Sequence, residues 1–192
     1  GMTQIEYAQA DLLELGSLER RFDLIEAMGV LHHLGAPVAG WRVLLSLLKP
    51  GGFMRVGLYS ALARRDLGAL RARLAAGGYD KNSLGEARQY LMKDSDCAHI
   101  AAYPDFFGAS TCRDLLFHVQ EQDFSLGSIS EFLAANNLHF LGFEVEDAVL
   151  AQYRRANPHD KAADNLSHWR DFEKDNPDCF SGMYQFWLQK TL

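Results

Sequence analysis

A short apolar run, Phe22 to Ala27, is interrupted only by Asp23 and Glu26 and is followed, after a loop, by a helical pattern between Pro37 and Pro50-Gly51-Gly52. Such a run fits a strand buried on both faces of a parallel sheet. Val38, Trp41, Leu44, Leu45 and Leu48 then recur at helical spacing. Pro37 suits the first turn, where its missing N–H loses no bond, and Pro50-Gly51-Gly52 stops the helix. Beyond the stop, Phe53, Arg55 and Gly57 alternate with Met54, Val56 and Leu58, the period of a second strand. Strand, helix and strand in this order make a βαβ unit with a right-handed crossover, which commits the chain to an α/β fold.

The flanking segments extend that reading. Gln4 to Ala8 alternates like a short strand, and Asp11 follows in a turn where a carboxylate can face a ligand. From Leu62 to Asn136 the patterns are helical. Leu62, Leu67, Leu70 and Leu74 line one helix that ends at Gly77-Gly78. Ser83-x-x-Glu86 and Ser128-x-x-Glu131 have the form of capping boxes. Thr111-x-x-Asp114 starts a further helix with Leu115, Leu116 and Val119 on its apolar side. His139 to Glu144 returns to strand, Lys161 to Asp175 reads as a polar helix, and Gly182 to Gln189 alternates as a last, antiparallel strand. The expected organisation is a sheet core from residues 1–61 and 137–192, with 62–136 as a helical insertion or lid. Trp41, Trp169 and Trp187 are expected in packing roles.

Composition narrows the function. The chain has 192 residues, 48% of them hydrophobic, and a net charge of −6. No Lys/Arg cluster offers the phosphate contacts of nucleic-acid binding, so a nucleic-acid partner is disfavoured. No stretch approaches the about twenty apolar residues needed to span a bilayer, and a cytoplasmic location is expected. Cys97, Cys112 and Cys179 lie far apart without a C-x-x-C pair, which fits reduced thiols better than a disulfide framework or a zinc site.

The order Phe22-Asp23-Leu24-Ile25-Glu26-Ala27-Met28-Gly29-Val30-Leu31-His32-His33-Leu34, then Leu48-Lys49-Pro50-Gly51-Gly52-Phe53-Met54-Arg55-Val56, resembles the fourth and fifth strands of class I S-adenosylmethionine-dependent methyltransferases. The strand, helix and aromatic last strand at the end of the chain are similar to that family's sixth and seventh strands. Gly57-Leu58-Tyr59-Ser60 together with Ser110 to Glu121 resembles a bacterial subgroup, of the methyltransferase type 12 kind, often joined to tetratricopeptide repeats. The resemblance implies a Rossmann-like sheet of order 3-2-1-4-5-7-6, represented here from the third or fourth strand onward. It also implies about sixty further residues ahead of this region, the length of two βα units. The family's Gly-x-Gly-x-Gly cofactor loop and the acidic residue ending its second strand have no counterpart in these residues.

Carried over residue by residue, the resemblance makes Asp11 the acceptor for the adenine amino group, with Leu12 behind the ring. Gly29, Val30 and Leu31 lie beneath the methionine end of S-adenosylmethionine. His32 contacts the cofactor, and His33 stands at the mouth where the methyl acceptor arrives. Ligands of open α/β sheets sit beyond the carboxyl ends of strands, where these residues fall.

From the residues alone, His32-His33 reads as a metal pair, a general base, a ligand-contacting loop or plain loop structure. Adjacent side chains on an extended backbone point apart, which makes a shared ion awkward. Asp114, His118 and Glu121 are spaced to share one helix face, where Asp114 can orient His118 as a base; a solvated ion pair is the alternative. Tyr59 and Arg113 are candidates for holding the substrate. With the first two strands absent, Phe22 to Ala27 becomes an open edge that pairs with a second copy, giving a homodimer, or is covered by a rearranged N-terminal segment. The function expected is methyl transfer to an unidentified acceptor, with a non-catalytic dimerisation or interaction module as the alternative and a metal hydrolase as a distant third.

Overall fold

The βαβ unit forms as its pattern requires. In the computed structural model, which describes residues 4–95, 97, 100–101, 104–118 and 120–192, β1 (Phe22–Met28) pairs in parallel with β2 (Leu48–Tyr59) across α1 (Pro37–Leu47). Pro37 occupies the first turn of α1, and Leu48 ends it with extended backbone. The register slips between Phe22↔Leu48 and Leu24↔Phe53, because Lys49 to Gly52 bulges out of the ladder with Gly51 at φ 74°. That left-handed conformation suits glycine, which has no Cβ to clash.

Two antiparallel strands complete the described sheet. β4 (Met183–Lys190) lies between β2 and β3 (Leu138–Phe143), in the order β1-β2-β4-β3. This corresponds to the expected order 4-5-7-6 with its last strand reversed. Met54, Val56 and Leu58 of β2 face the same side as Leu188, Phe186 and Tyr184 of β4, and all six are fully buried. In β3 a bulge between Phe140 and Gly142 changes the alternation, so that Phe140 and Phe143 both reach this core. Trp41 stacks on Phe132 at 3.9 Å, and Trp169 on Tyr153 at 3.8 Å. The opposite face is more open. Arg55 forks onto Glu144, whose Oε1 also accepts from the indole of Trp187, so Trp187 serves this polar cluster rather than the core.

The helices after β2 fall into two sets. Leu67, Leu70 and Leu74 of α2 (Leu67–Ala76), Ala87 and Leu91 of α3 (Leu84–Lys93) and Cys112, Leu115 and Leu116 of α4 (Ala109–Phe117) share a second core. Ile129, Phe132 and Leu133 of α5 (Leu126–Ala135) join the sheet core instead. α6 (Asp147–Ala156) and α7 (Leu166–Asp175) close that core around Tyr153, Trp169 and Phe172. Cys97 and Cys112 are buried and Cys179 is half-buried.

Several local expectations need correction. Gln4 to Ala8 is not a strand: residues 5–10 are irregular and exposed, since no described neighbour offers the segment a ladder. β1 is not buried on both faces, for Leu24 is 49% exposed at the edge of the described sheet. The helix expected from Leu62 starts at Leu67, because the Ser60 hydroxyl and carbonyl accept from the Ala63 and Arg64 amides and hold a turn there. Ser83 makes no cap bond to its helix, as its hydroxyl is bound to the Asp80 backbone. The box expected at Ser128 and Glu131 is built by Ser125 and Ser128, placing the start of α5 one turn earlier. The Thr111 helix begins at Ala109, while Thr111 bonds back to Asp105; Val119 lies outside the described residues. The polar helix starts at Leu166 under the Asn165 cap, because Asp160 accepts from the Asp164 and Asn165 amides and keeps that stretch in a loop. No helix among the described residues is long and apolar enough to cross a membrane.

Candidate functional site

At the carboxyl end of β1 the chain turns through Gly29 at φ 70°, and the Gly29 amide donates to Gly57 of β2 at 3.4 Å. Leu31–His33 then forms a single 3-10 turn, closed by the Leu34 amide on the Leu31 carbonyl. Leu31 is inserted in the core and anchors the turn, and His32 is carried inside with it, both at 0% exposure. The segment after α4 is stitched to the same place. The Gln122 amide donates to the His32 carbonyl, the Phe124 amide to the Tyr59 carbonyl and the Ala61 amide to the Phe124 carbonyl. These backbone bonds bring His118 against His33 beyond the ends of β1 and β2.

The result is an aromatic cluster of four expected site residues. The His32 ring stacks on Tyr59 at 3.7 Å and meets His33 edge-on at 4.3 Å; the His33 and His118 rings are 4.3 Å apart. The two adjacent histidines are thus in contact, because their backbone is a 3-10 turn and not extended. Among the described residues no group of His, Cys, Asp and Glu has an arrangement for a metal ion.

Burial sets the protonation of this cluster. Desolvation, then the neighbouring His33 and Arg64, push the His32 pKa down to about 3. Burial and His118 also lower that of His33, against the opposing pull of Glu121 and Asp114. Burial raises the Tyr59 phenol. At neutral pH the cluster therefore presents two uncharged imidazoles and an intact phenol. Neither ring nitrogen of His32, nor Nδ1 of His33, nor Nε of Arg64 has a hydrogen-bond partner of good geometry among the described residues. These are four of the six buried side-chain atoms so left, and each costs about 1–3 kcal/mol. Such a concentration marks this point of the fold as a functional candidate.

A buried ion network backs the aromatic rings. Arg64, 4% exposed, places its guanidinium carbon 3.6 Å from the Tyr59 ring centre. Its Nη2 donates to Glu121 Oε1 at 2.5 Å, and Arg71 Nη2 donates to Glu121 Oε2 at 2.5 Å. Arg71 also donates to the Leu115 carbonyl at the end of α4. The expected face of Asp114, His118 and Glu121 is consequently not formed. α4 ends at Phe117, His118 is its cap and Glu121 turns inward toward the arginines. Among the described residues the Asp114 carboxylate makes no hydrogen bond to His118, whose Nδ1 accepts from the Gln120 amide.

The other expected residues lie apart from the cluster. The Asp11 carboxylate caps the 3-10 turn Leu12–Ser17 through the Leu13 amide at 2.9 Å and stays exposed. Leu12 packs beside Leu31 and Leu34 around Gly40. Val30 is exposed next to Gly29, whereas Leu31 is wholly internal. Arg113 is exposed on α4 and makes no hydrogen bond or ion pair among the described residues. Reading the sequence missed Arg64 and Arg71, which look there like the solvated face of a helix; the length and polarity of their side chains carry no sign of burial.

No protein-family model matches the chain. It is 26% identical over 159 residues to an uncharacterized protein of Synechococcus sp., covering 75% of this chain and 37% of that protein. Among solved structures it is similar to PKMT2 from Rickettsia typhi, with a TM-score of 0.69 and 12% identity over 93% of this chain and 37% of that one. PKMT2 in complex with AdoHcy gives a TM-score of 0.64 at 15% identity, over 95% of this chain and 38% of that one. The chain therefore spans less than two-fifths of the length of these relatives. At such identities what is shared is the fold, an α/β arrangement of a mixed sheet with helices.

Proposed function

We propose that this chain forms the acceptor-side portion of an S-adenosylmethionine-dependent methyltransferase, with Tyr59, His33 and His118 lining the mouth at which a nucleophile meets the methyl group and the buried His32 backing Tyr59 from within. The observation that carries the reading is the convergence of three histidines and a tyrosine beyond the carboxyl ends of two parallel strands, where open α/β sheets bind ligands. The complex of the similar PKMT2 fold with AdoHcy supports a cofactor of that chemistry.

The residues after β1 fit such a group in part. A Cβ built on Gly29 meets nothing within 4 Å, so its backbone is open to close approach, and Val30 and the Asp11 carboxylate are exposed beside solvent. Gly29 and Val30 would hold the amino-acid end and Asp11 the adenine; the buried Leu31 supports the turn from within. When bound, S-adenosylmethionine supplies an electrophilic methyl group. The chain's own contribution is orientation and proton acceptance. The Tyr59 hydroxyl and the His33 ring position the acceptor, and the uncharged His33 takes its proton at a ring nitrogen.

A second reading, a non-catalytic module that pairs with another copy, draws on the exposure of Leu24 on the edge strand β1 and of Phe53 beside it on β2. Under the first reading, calorimetric titration with S-adenosylhomocysteine yields micromolar binding that Gly29→Val abolishes. Silence at millimolar ligand, with a dimer found by light scattering, decides for the second. A cytoplasmic location and an unidentified acceptor complete the proposal.

A further inference from the structure

We propose that Arg64 is a positioning residue that clamps the Tyr59 ring against His32, and that Glu121, shared with Arg71, holds the clamp closed. The His32 ring centre lies 3.7 Å from that of Tyr59, stacked at 29°, and the Arg64 guanidinium carbon lies 3.6 Å from the same point. Two groups at van der Waals contact with one ring centre cannot share a face without overlapping, so they take opposite faces. Tyr59 is thus the middle layer of a three-layer stack.

The outer layer is held by charge. The Arg64 side chain is 3% exposed and that of Glu121 4%; each Glu121 oxygen takes one guanidinium. Arg71 is fixed in turn by the Leu115 carbonyl, which ties α2 and the end of α4 to the stack. A planar guanidinium can lie flat on the phenol while its edge bonds a carboxylate, which a lysine cannot do. Desolvation strengthens the cation–π contact. The consequence is a phenol whose hydroxyl direction is set relative to His33, 5.7 Å away and nearly perpendicular. The role of this phenol in catalysis rests on the methyl-transfer reading, whereas the clamp stands on geometry alone.

Ring flipping of Tyr59 tests it, by NMR on protein carrying ¹³C-labelled tyrosine. In the wild type the two ring edges give separate signals, with cross-relaxation from Arg64 and from His32. In Arg64→Lys, and in the paired change Arg64→Met with Glu121→Gln, they merge as flipping accelerates about tenfold or more, the factor that a desolvated cation–π contact represents. The buried Tyr184 ring is unchanged and serves as the internal control. Averaged Tyr59 edges in the wild type overturn the clamp, even if neither variant folds; edges that stay separate in a folded variant do so as well. Separate wild-type edges with no cross-relaxation from Arg64 also overturn it. Silence toward S-adenosylhomocysteine with the clamp intact counts against the proposed function alone.

Discussion

Replacing His32 by Phe should remove a defined part of the acid sensitivity of folding. His32 is wholly buried on Tyr59, and its pKa falls from an ordinary 6.5 to about 3. Between these values the unfolded chain binds a proton that the folded chain refuses. Stability from this group is therefore complete above the unfolded value and is lost as pH falls toward the folded one. Between about pH 7.5 and about pH 5 the loss is RT ln(1 + 10^1.5), about 2 kcal/mol, nearly independent of where below pH 4 the folded value lies. Phe keeps a flat ring on Tyr59 and eliminates two buried nitrogens without partners, so the variant should not lose stability at neutral pH. His33 is depressed in the same sense and adds to the slope of both proteins, so the comparison isolates His32. Urea unfolding at the two pH values measures this directly. If His32→Phe loses as much stability on acidification as the wild type, or if NMR shows the His32 imidazole titrating near pH 6, the buried neutral histidine is refuted.

Two further outcomes follow from the core. Trp41→Ala, which empties the site stacked on Phe132, should cost about 3–5 kcal/mol in urea unfolding, and a cost below about 1 kcal/mol would contradict the packing described. Glu173 is buried, its Oε1 accepting from Tyr184 and Ser60, and burial raises its pKa above 4.5. The folded chain keeps this proton when the unfolded chain releases it, so stability falls as pH rises through that window. The advantage of Glu173→Gln over the wild type in thermal melts should grow between about pH 5 and about pH 8 and would be constant if the carboxyl were unperturbed.

The sheet was legible because its strands carry clear patterns: Pro37 opens α1, and Tyr184, Phe186 and Leu188 alternate cleanly; the helix stop expected at Pro50-Gly51-Gly52 comes earlier, at Leu47, because Leu48 is already extended as the start of β2. Helix starts were less so, because a serine hydroxyl can cap a helix or fold back on its own turn, as Ser83 does with Asp80. α6 went unread, although Val149, Leu150 and Tyr153 lie at helical spacing, since its other positions are alanine or polar. His32, His33 and Tyr59 were recognisable as site candidates from their place after β1 and β2. The contact of His118 with them was not, for it depends on α4 ending at Phe117 and on the backbone bonds of Gln122 and Phe124. Nor does any local pattern reveal that Arg64 and Arg71 meet across Glu121, because that pairing joins residues about fifty apart in the chain.

The proposed function requires the end of β1 to meet the cofactor of methyl transfer. Titrating the ¹⁵N-labelled chain with S-adenosylhomocysteine and following amide and imidazole signals tests this most directly. The prediction is saturable change at Gly29, Val30, His32 and His33 with a midpoint in the micromolar range. Unchanged spectra at millimolar ligand, or changes confined to other parts of the molecule, would contradict it.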